Sequence, residues 1–180
     1  MSAVASFAAA AAAAAQEFAS ADAKAPAEVS SSAGGILLRL GTSRYAVAMA
    51  DVAEVAPVPG LTRIPGSPTW LAGVANWRGR MLPVLDVRLL LSTEQVPLAS
   101  SARLVVVARG ELVAGLIAEA VPGVYDDALA DPVSPPPTLS TEAAALVIGQ
   151  VADREGPVAV LDAGALLALR ERIPRRRHGS

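Results

Sequence analysis

The side chains able to do covalent chemistry are few, and their positions work against it. His178 is the sole histidine, it stands in the run Arg175-Arg176-Arg177-His178 beyond the last apolar segment, and the chain has no cysteine. A Ser-His or Cys-His nucleophile therefore lacks its base or its thiol in the folded part, and the usual zinc and haem ligands are missing with it. The single lysine, Lys24, lies in an alanine- and serine-rich stretch, which removes a phosphate-binding P-loop lysine and Schiff-base chemistry. What remains is carboxylates: Asp51, Glu54, Asp86, Glu119, Asp126, Asp127, Asp131, Asp153, Glu155 and Asp162. A carboxylate-based hydrolase of sugars needs two such groups across a cleft. The aromatics that grip sugars are scarce, however, and Asp86 and Asp162 stand where helix caps are wanted. The expectation is a protein that is not an enzyme, with no catalytic residue, metal or cofactor.

Charge and hydropathy narrow the class further. The formal net charge is −2, and only two Phe, two Tyr and two Trp occur. A small β-barrel nucleic-acid binder needs a basic groove and exposed aromatics for stacking, so no nucleic-acid partner is expected. No run reaches the roughly 18 apolar residues of a spanning helix; Ala8 to Ala15 comes nearest and is broken by Gln16 and Glu17. No basic residue precedes Lys24, whereas a secretory signal starts with one. A cytoplasmic protein without direct membrane insertion is expected, its stability coming from an apolar core and not from disulfides.

Positioning falls to three segments. Residues 1–33, with an alanine run followed by Ser, Asp and Pro, have the composition of a disordered tail; residues 34–173 carry the folded domain; residues 174–180 form a basic tail. From Gly34 the chain breaks into short Ile, Leu and Val runs punctuated by Gly, Pro and Asp. This predicts strands at 36–40, 45–49, 52–55, 73–77, 81–84, 103–108, 112–117, 121–125, 146–152 and 158–161. Tight hairpins are expected at Gly41-Thr42-Ser43-Arg44, Arg78-Gly79, Arg109-Gly110-Glu111 and Asp153-Arg154-Glu155-Gly156. Helix is sparse: 86–91 and 162–172 each begin with an Asp fit to cap, and Pro174 ends the second.

A weak repeat organises these pieces. Gly73 stands thirteen residues before Asp86, and Gly149 thirteen before Asp162; Leu90-Leu91 and Leu166-Leu167 follow at matching offsets. Upstream, Leu38-Arg39-Leu40-Gly41 leading to Tyr45-Ala46-Val47 is matched by Val106-Val107-Ala108-Arg109-Gly110 leading to Leu112-Val113-Ala114. Each copy is an apolar hairpin, a further strand, a loop and a glycine-led hairpin that closes on an aspartate and a short helix. Two barrel-like lobes result, closure removing the edges that short antiparallel strands otherwise present.

The densest signal runs from Thr62 to Asp86. Val52-Ala53-Glu54-Val55, Thr62-Arg63-Ile64-Pro65, Gly73-Val74-Ala75-Asn76-Trp77-Arg78-Gly79 and Leu82-Pro83-Val84-Leu85-Asp86 follow in order. In this the chain resembles the CheW-like domain, and the resemblance continues through Gly115-Leu116-Ile117-Ala118-Glu119 to about Leu169. It implies a mainly β fold: two SH3-like five-stranded barrels with a groove between them and a short C-terminal helix. It also implies a non-catalytic adaptor in chemotaxis or twitching motility, monomeric alone and part of a larger array with its partners. Those partners would be the regulatory domain of a CheA-type histidine kinase and the cytoplasmic tip of a chemoreceptor.

The same resemblance nominates residues. Arg78, at a hairpin tip beside a glycine, suits a bidentate contact with a partner or an anchor for nearby loops; as a plain turn residue it would point to water. Glu54, a charge between Val52 and Val55, has the same two readings. Asn76, Gly79, Val52, Val55, Met81 and, across the groove, Leu104 match partner-binding positions, with core burial the alternative for the apolar ones. Trp77 stands where relatives carry Leu; exposed, it would enlarge a binding hot spot, and buried, it would fill the first barrel. Gly73 and Pro65 are expected to be structural turn residues.

Overall fold

Apolar runs too short for helices and bounded by turn residues are committed to strands, and ten form. The computed structural model describes residues 34–91, 93, 97–125, 129, 132–134 and 139–173. The expected tails at 1–33 and 174–180 and the Pro135-Pro136-Pro137 loop lie outside the described residues. The strands are β1 (Gly35–Leu40), β2 (Ser43–Ala48), β3 (Val52–Pro57), β4 (Leu71–Trp77), β5 (Arg80–Leu85), β6 (Arg103–Arg109), β7 (Leu112–Ala118), β8 (Ala120–Tyr125), β9 (Val147–Asp153) and β10 (Gly156–Leu161). Each covers one expected run to within a few residues.

Helices are α1 (Thr141–Ala144) and α2 (Ala163–Leu169). The Asp162 carboxylate accepts the Gly164 N–H at 2.7 Å, the cap expected of it, and a 3-10 turn, Arg170–Arg172, extends α2. The short α1, capped by the Ser140 hydroxyl, was not anticipated. The expected helix at 86–91 is a correction: the segment holds one helical hydrogen bond, Leu91 N–H to Val87 O at 2.9 Å. Asp86 does accept the Arg88 N–H at 3.3 Å, as Asp162 accepts that of Gly164, but the turn it caps does not continue as a helix, and the same carboxylate also holds the fork of the Arg88 guanidinium, at 2.8 and 2.7 Å.

Two five-stranded sheets result, with orders β8-β1-β2-β10-β9 and β3-β6-β7-β5-β4. Taking β1 to β5 as the first copy of the repeat and β6 to β10 as the second, the orders are the same, but neither lobe is one copy. The first lobe builds the opening hairpin of copy one between the third strand and closing hairpin of copy two, and the second lobe does the reverse. The parallel contacts that seat the exchanged hairpins also correspond, Val160 beside Ala46 in one lobe and Val84 beside Gly115 in the other.

Smaller details repeat with them. Asp86 N–H donates to Trp70 O at 2.8 Å, and Asp162 N–H to Leu146 O at 2.9 Å. Thr62 bridges Val74, and Val133 bridges Gln150. Gly73 and Gly149 sit beneath those bridges, where an added Cβ would lie 2.6 Å from Thr62 O and 2.4 Å from Val133 O. Gly73 is thus a strand residue at a bulge in β4 and not a turn residue; it is glycine because another backbone passes over it. Pro65 does occupy a turn, closed by Ser67 N–H to Ile64 O at 3.2 Å with Gly66 at φ 74°.

Exchange decides where the core sits. Alternate residues of β1 and β6 face opposite ways: Ile36, Leu38, Leu40, Val105 and Val107 enter one large cluster with Leu85, Leu116, Leu161, Leu166 and Leu167. Leu104 and Val106 pack inside the second lobe, and Leu37 inside the first. The largest cluster therefore lies between the lobes, which explains why these strands read as near-continuous apolar runs, broken in β1 only by the exposed Arg39: most positions on both faces are buried.

The chain crosses between lobes twice, at the 3-10 turn Met49–Asp51 and at Glu119. A carboxylate at each crossover shares an arginine with the aspartate that ends a closing hairpin. At one crossover, Arg88 joins Asp86 to Glu119, Nη1 to Oε1 at 2.5 Å, and Glu119 also accepts the Gly41 N–H of the first lobe at 2.5 Å. This Arg88 is 5% exposed, and its pKa is raised, chiefly by the Asp86 hydrogen bonds and secondarily by Glu119, against the opposing effect of burial. At the other crossover, Arg109 binds Asp51 bidentately at 2.7 and 2.8 Å and lies 3.7 Å from Asp162. Its side chain is 49% exposed.

Burial sets what each is worth. Removing one member of a buried pair leaves an uncompensated charge in a medium of low polarity, whereas a half-exposed pair is screened by water and salt. Arg88→Ala is expected to lower unfolding free energy by about 3–5 kcal/mol. Arg109→Ala should cost about 1 kcal/mol or less. Paired urea titrations check this, and equal losses from both variants would refute the assignment of the buried set as the main polar lock.

Candidate protein-interaction site

The turn between β4 and β5 is a two-residue hairpin loop of the kind that follows the strand twist with positive φ at both central positions. Arg78 and Gly79 supply it, at φ 51° and 76°. Arg78 is the only non-glycine with positive φ among the described residues, a conformation that strains a residue bearing a Cβ. Asn76 offsets part of this, its Oδ1 accepting the Gly79 N–H at 3.0 Å.

A bulge in β3 supplies the acid. Pairing shifts between Val52 and Glu54, so Val52 and Val55 both pack against the interlobe core while Ala53 packs toward the interior of the second lobe. Glu54 Oε2 then accepts the Trp77 indole N–H at 2.8 Å and an Arg78 guanidinium N–H at 3.1 Å. The Arg78 guanidinium carbon lies 4.8 Å from the centroid of the Trp77 ring, within cation–π range. Since β3 and β4 are opposite edges of this sheet, Glu54 ties the two edges together. In the first lobe the corresponding edges are tied by the Tyr125 hydroxyl, which donates to Ala152 O at 2.9 Å.

The nominated residues fall into two groups. Glu54, Asn76, Trp77, Arg78, Gly79 and Met81 meet at one end of the second lobe. Met81, paired with Asn76 across the hairpin, is 75% exposed. Trp77 is half-buried and rests on the interior of the lobe. Val52 and Val55 are half-buried, and Leu104 is 3% exposed inside the second lobe, where it fills the space over Gly115. Leu104 therefore offers no surface. A depression between the lobes is lined by Arg39, Gly41 and Thr42 on one side and by Pro97, Ala99, Ser101 and Glu119 on the other; none of the nominated residues lines it.

Asp86 and Asp162 are each held by an arginine and by local backbone N–H groups, and no group of three or more metal-ligating side chains occurs among the described residues. Sequence reasoning missed Arg88 and the role of Glu119. The available signal was the Asp-x-Arg spacing at the end of β5, where an arginine two residues on can fold back onto the carboxylate.

Two five-stranded lobes that share one core, the second ending in a braced polar and aromatic hairpin tip, define a two-lobed β-sheet module. The chain belongs to the CheW-like domain family, whose model matches residues 34–171. Among curated relatives it is 43% identical over 89 residues to Protein PilI of Pseudomonas aeruginosa, covering 49% of this chain and 50% of the relative. It is 36% identical over 113 residues to Protein FrzA of Myxococcus xanthus, covering 63% and 70%. The match to PilI thus spans half of that protein's length. The crystal structure of scaffolding protein TtCheW from Thermoanaerobacter tengcongensis superposes with a TM-score of 0.64 at 26% identity, covering 72% of this chain and 88% of that one. The fold is mainly β with two five-stranded sheets, as expected, and the family is one of scaffold proteins in chemotaxis and related signal transduction.

Backbone strain at Arg78 is separable from its contacts. Arg78→Ala and Arg78→Gly remove the same hydrogen bond and ring contact, but only alanine keeps the strained positive φ. The glycine variant should be the more stable of the two by about 1 kcal/mol in chemical denaturation. Equal stability, or a more stable alanine variant, would mean that the hairpin relaxes to another turn.

Proposed function

We propose that this protein is a non-catalytic adaptor that couples chemoreceptors of the methyl-accepting type to a CheA-type histidine kinase, in chemotaxis or twitching-motility signalling. The observation that carries the reading is the hairpin tip: Glu54, Trp77 and Arg78 hold one another in place beside an exposed Met81. Rigid aromatic and arginine groups around an apolar centre are what binding hot spots are made of. Membership of a scaffold family supports the same reading, since scaffolding needs surface and no reactive group.

In this reading the kinase regulatory domain and the receptor's cytoplasmic tip are the partners, and Arg78, Glu54, Asn76, Gly79, Met81 and Trp77 form or support the contact. Val52 and Val55 support it from beneath, by seating β3. The protein acts in the cytoplasm as a monomer that joins receptor arrays through these partners. No helix among the described residues is long and apolar enough to cross a membrane.

Co-sedimentation with the regulatory domain of a kinase encoded beside this chain, and with a receptor-tip fragment, tests the reading. The native protein should bind, and Arg78→Ala should weaken binding about tenfold or more, the loss of one well-placed charged contact. Retained circular dichroism would show that the variant stays folded. A native chain that binds neither partner would overturn the function while leaving the fold untouched.

A further inference from the structure

One indole is the pivot of the second lobe's hairpin tip. Trp77 rests on the lobe interior, gives its N–H to Glu54 at 2.8 Å and carries the Arg78 guanidinium over its ring, 4.8 Å from the centroid. Without the ring, Arg78 would keep only its 3.1 Å bond to Glu54, between side chains 59% and 34% exposed. Water screens such a pair, and a long side chain readily gives it up for rotamer freedom. The matching hairpin of the first lobe is built differently. Asp153-Arg154 stand where Trp77-Arg78 do, and Pro157 stands where Met81 does; Asp153 is held across that lobe by Arg44, and Arg154 has no positive φ. A fixed arginine beside an exposed apolar side chain belongs to the second tip alone. Around Met81 the charges cancel: Arg78 is matched by Glu54, Arg80 by Glu111 at 3.7 Å, and Arg170, which lines the same shallow depression, by the adjoining Glu171.

We infer that Trp77 is the positioning and specificity-determining residue of this contact: it fixes Arg78 as a rim beside Met81 and keeps Glu54 satisfied within the tip, so that an apolar, uncharged patch of a protein partner docks here. This rests on the adaptor reading and gives the contact its chemistry. A basic partner residue opposite Glu54 would have to displace two donors already in place. An acidic one would meet as many carboxylates as guanidinium groups. What favours contact is the removal from water of the Met81 side chain and the exposed part of Trp77. The guanidinium N–H groups of Arg78 not spent on Glu54 are donors for carbonyl or hydroxyl oxygens of the partner, and a guanidinium already resting on a ring loses little freedom when it is covered.

The test uses the full chain carrying Trp77→Leu, Trp77→Phe, Arg78→Ala, Met81→Ser, or Trp77→Leu together with Arg78→Ala. Each is titrated against the kinase regulatory domain and the receptor-tip fragment, with circular dichroism to confirm folding. Trp77→Leu should weaken the cognate contact about tenfold, and adding Arg78→Ala should cost less than about twofold more, since residues that act as one unit are not additive. Trp77→Phe keeps a ring beneath Arg78 and should stay within about threefold of the native chain. Losses that add, as independent contacts or a general loosening of the lobe would give, overturn the positioning role, and so does a phenylalanine variant as weak as the leucine one. Raising salt from about 0.1 to about 0.5 M should change native affinity less than about twofold; a loss of about tenfold or more would mean a charged partner surface and overturn the uncharged one. Undiminished binding by Met81→Ser ends its apolar centre. If the native chain binds neither fragment, the adaptor reading and this inference fall together; if it binds and Trp77→Leu binds equally well, only the inference falls.

Discussion

Neither lobe can complete its sheet from its own half of the chain. The opening hairpins β1-β2 and β6-β7 each enter the sheet of the other copy, and the inner faces of those hairpins build the cluster that joins the lobes. Everything else described depends on that constraint. It fixes the β3 edge against β6, and so the position of Glu54; it also forces two crossovers, each of which places a carboxylate among groups of both lobes. A protein built this way has no loose interdomain surface, because what would be the interface is the main core.

Much of this was legible in the sequence, for reasons that differ by element. Strand stretches with both faces buried, such as Ile36 to Leu38 and Leu104 to Val107, announce themselves as unbroken apolar runs, and the turns between them carry their glycines. The repeat was visible because the hairpin that passes beneath a neighbouring backbone needs glycine, at Gly73 and Gly149, and because the carboxylates of Asp86 and Asp162 each accept the N–H two residues on and face an arginine. Exchange was not visible. Two copies with the same order of strands pair equally well on paper within a copy or between copies, and only the side chains at the crossovers distinguish the two.

The site was legible in part for a related reason. Arg-Gly at a hairpin tip states its own geometry, and Glu54 between two valines marks a charge on a half-buried strand. Leu104 was misplaced because an apolar residue on a strand with two buried faces gives no sign of which face it occupies. Arg88 was overlooked because an arginine in a short leucine-rich segment resembles a solvent-facing helix residue, whereas here its charge is neutralised by Asp86 and Glu119 and its side chain lies inside.

The exchange also gives the chain the symmetry of a dimer. A chain holding a single copy would present an unpartnered hairpin, and two such chains trading hairpins would rebuild all ten strands. The molecule therefore has the form of a swapped dimer whose subunits have been joined end to end. Joining frees the two joints of such a dimer from being identical, and here they differ. One draws its guanidinium from Arg88 after β5 and seals it from water; at the matching place the other has Gly164, against which Arg109 lays a guanidinium arriving from the opposite side. A symmetric dimer would have two alike hinges; the joined chain has one that is closed to solvent and one that is not.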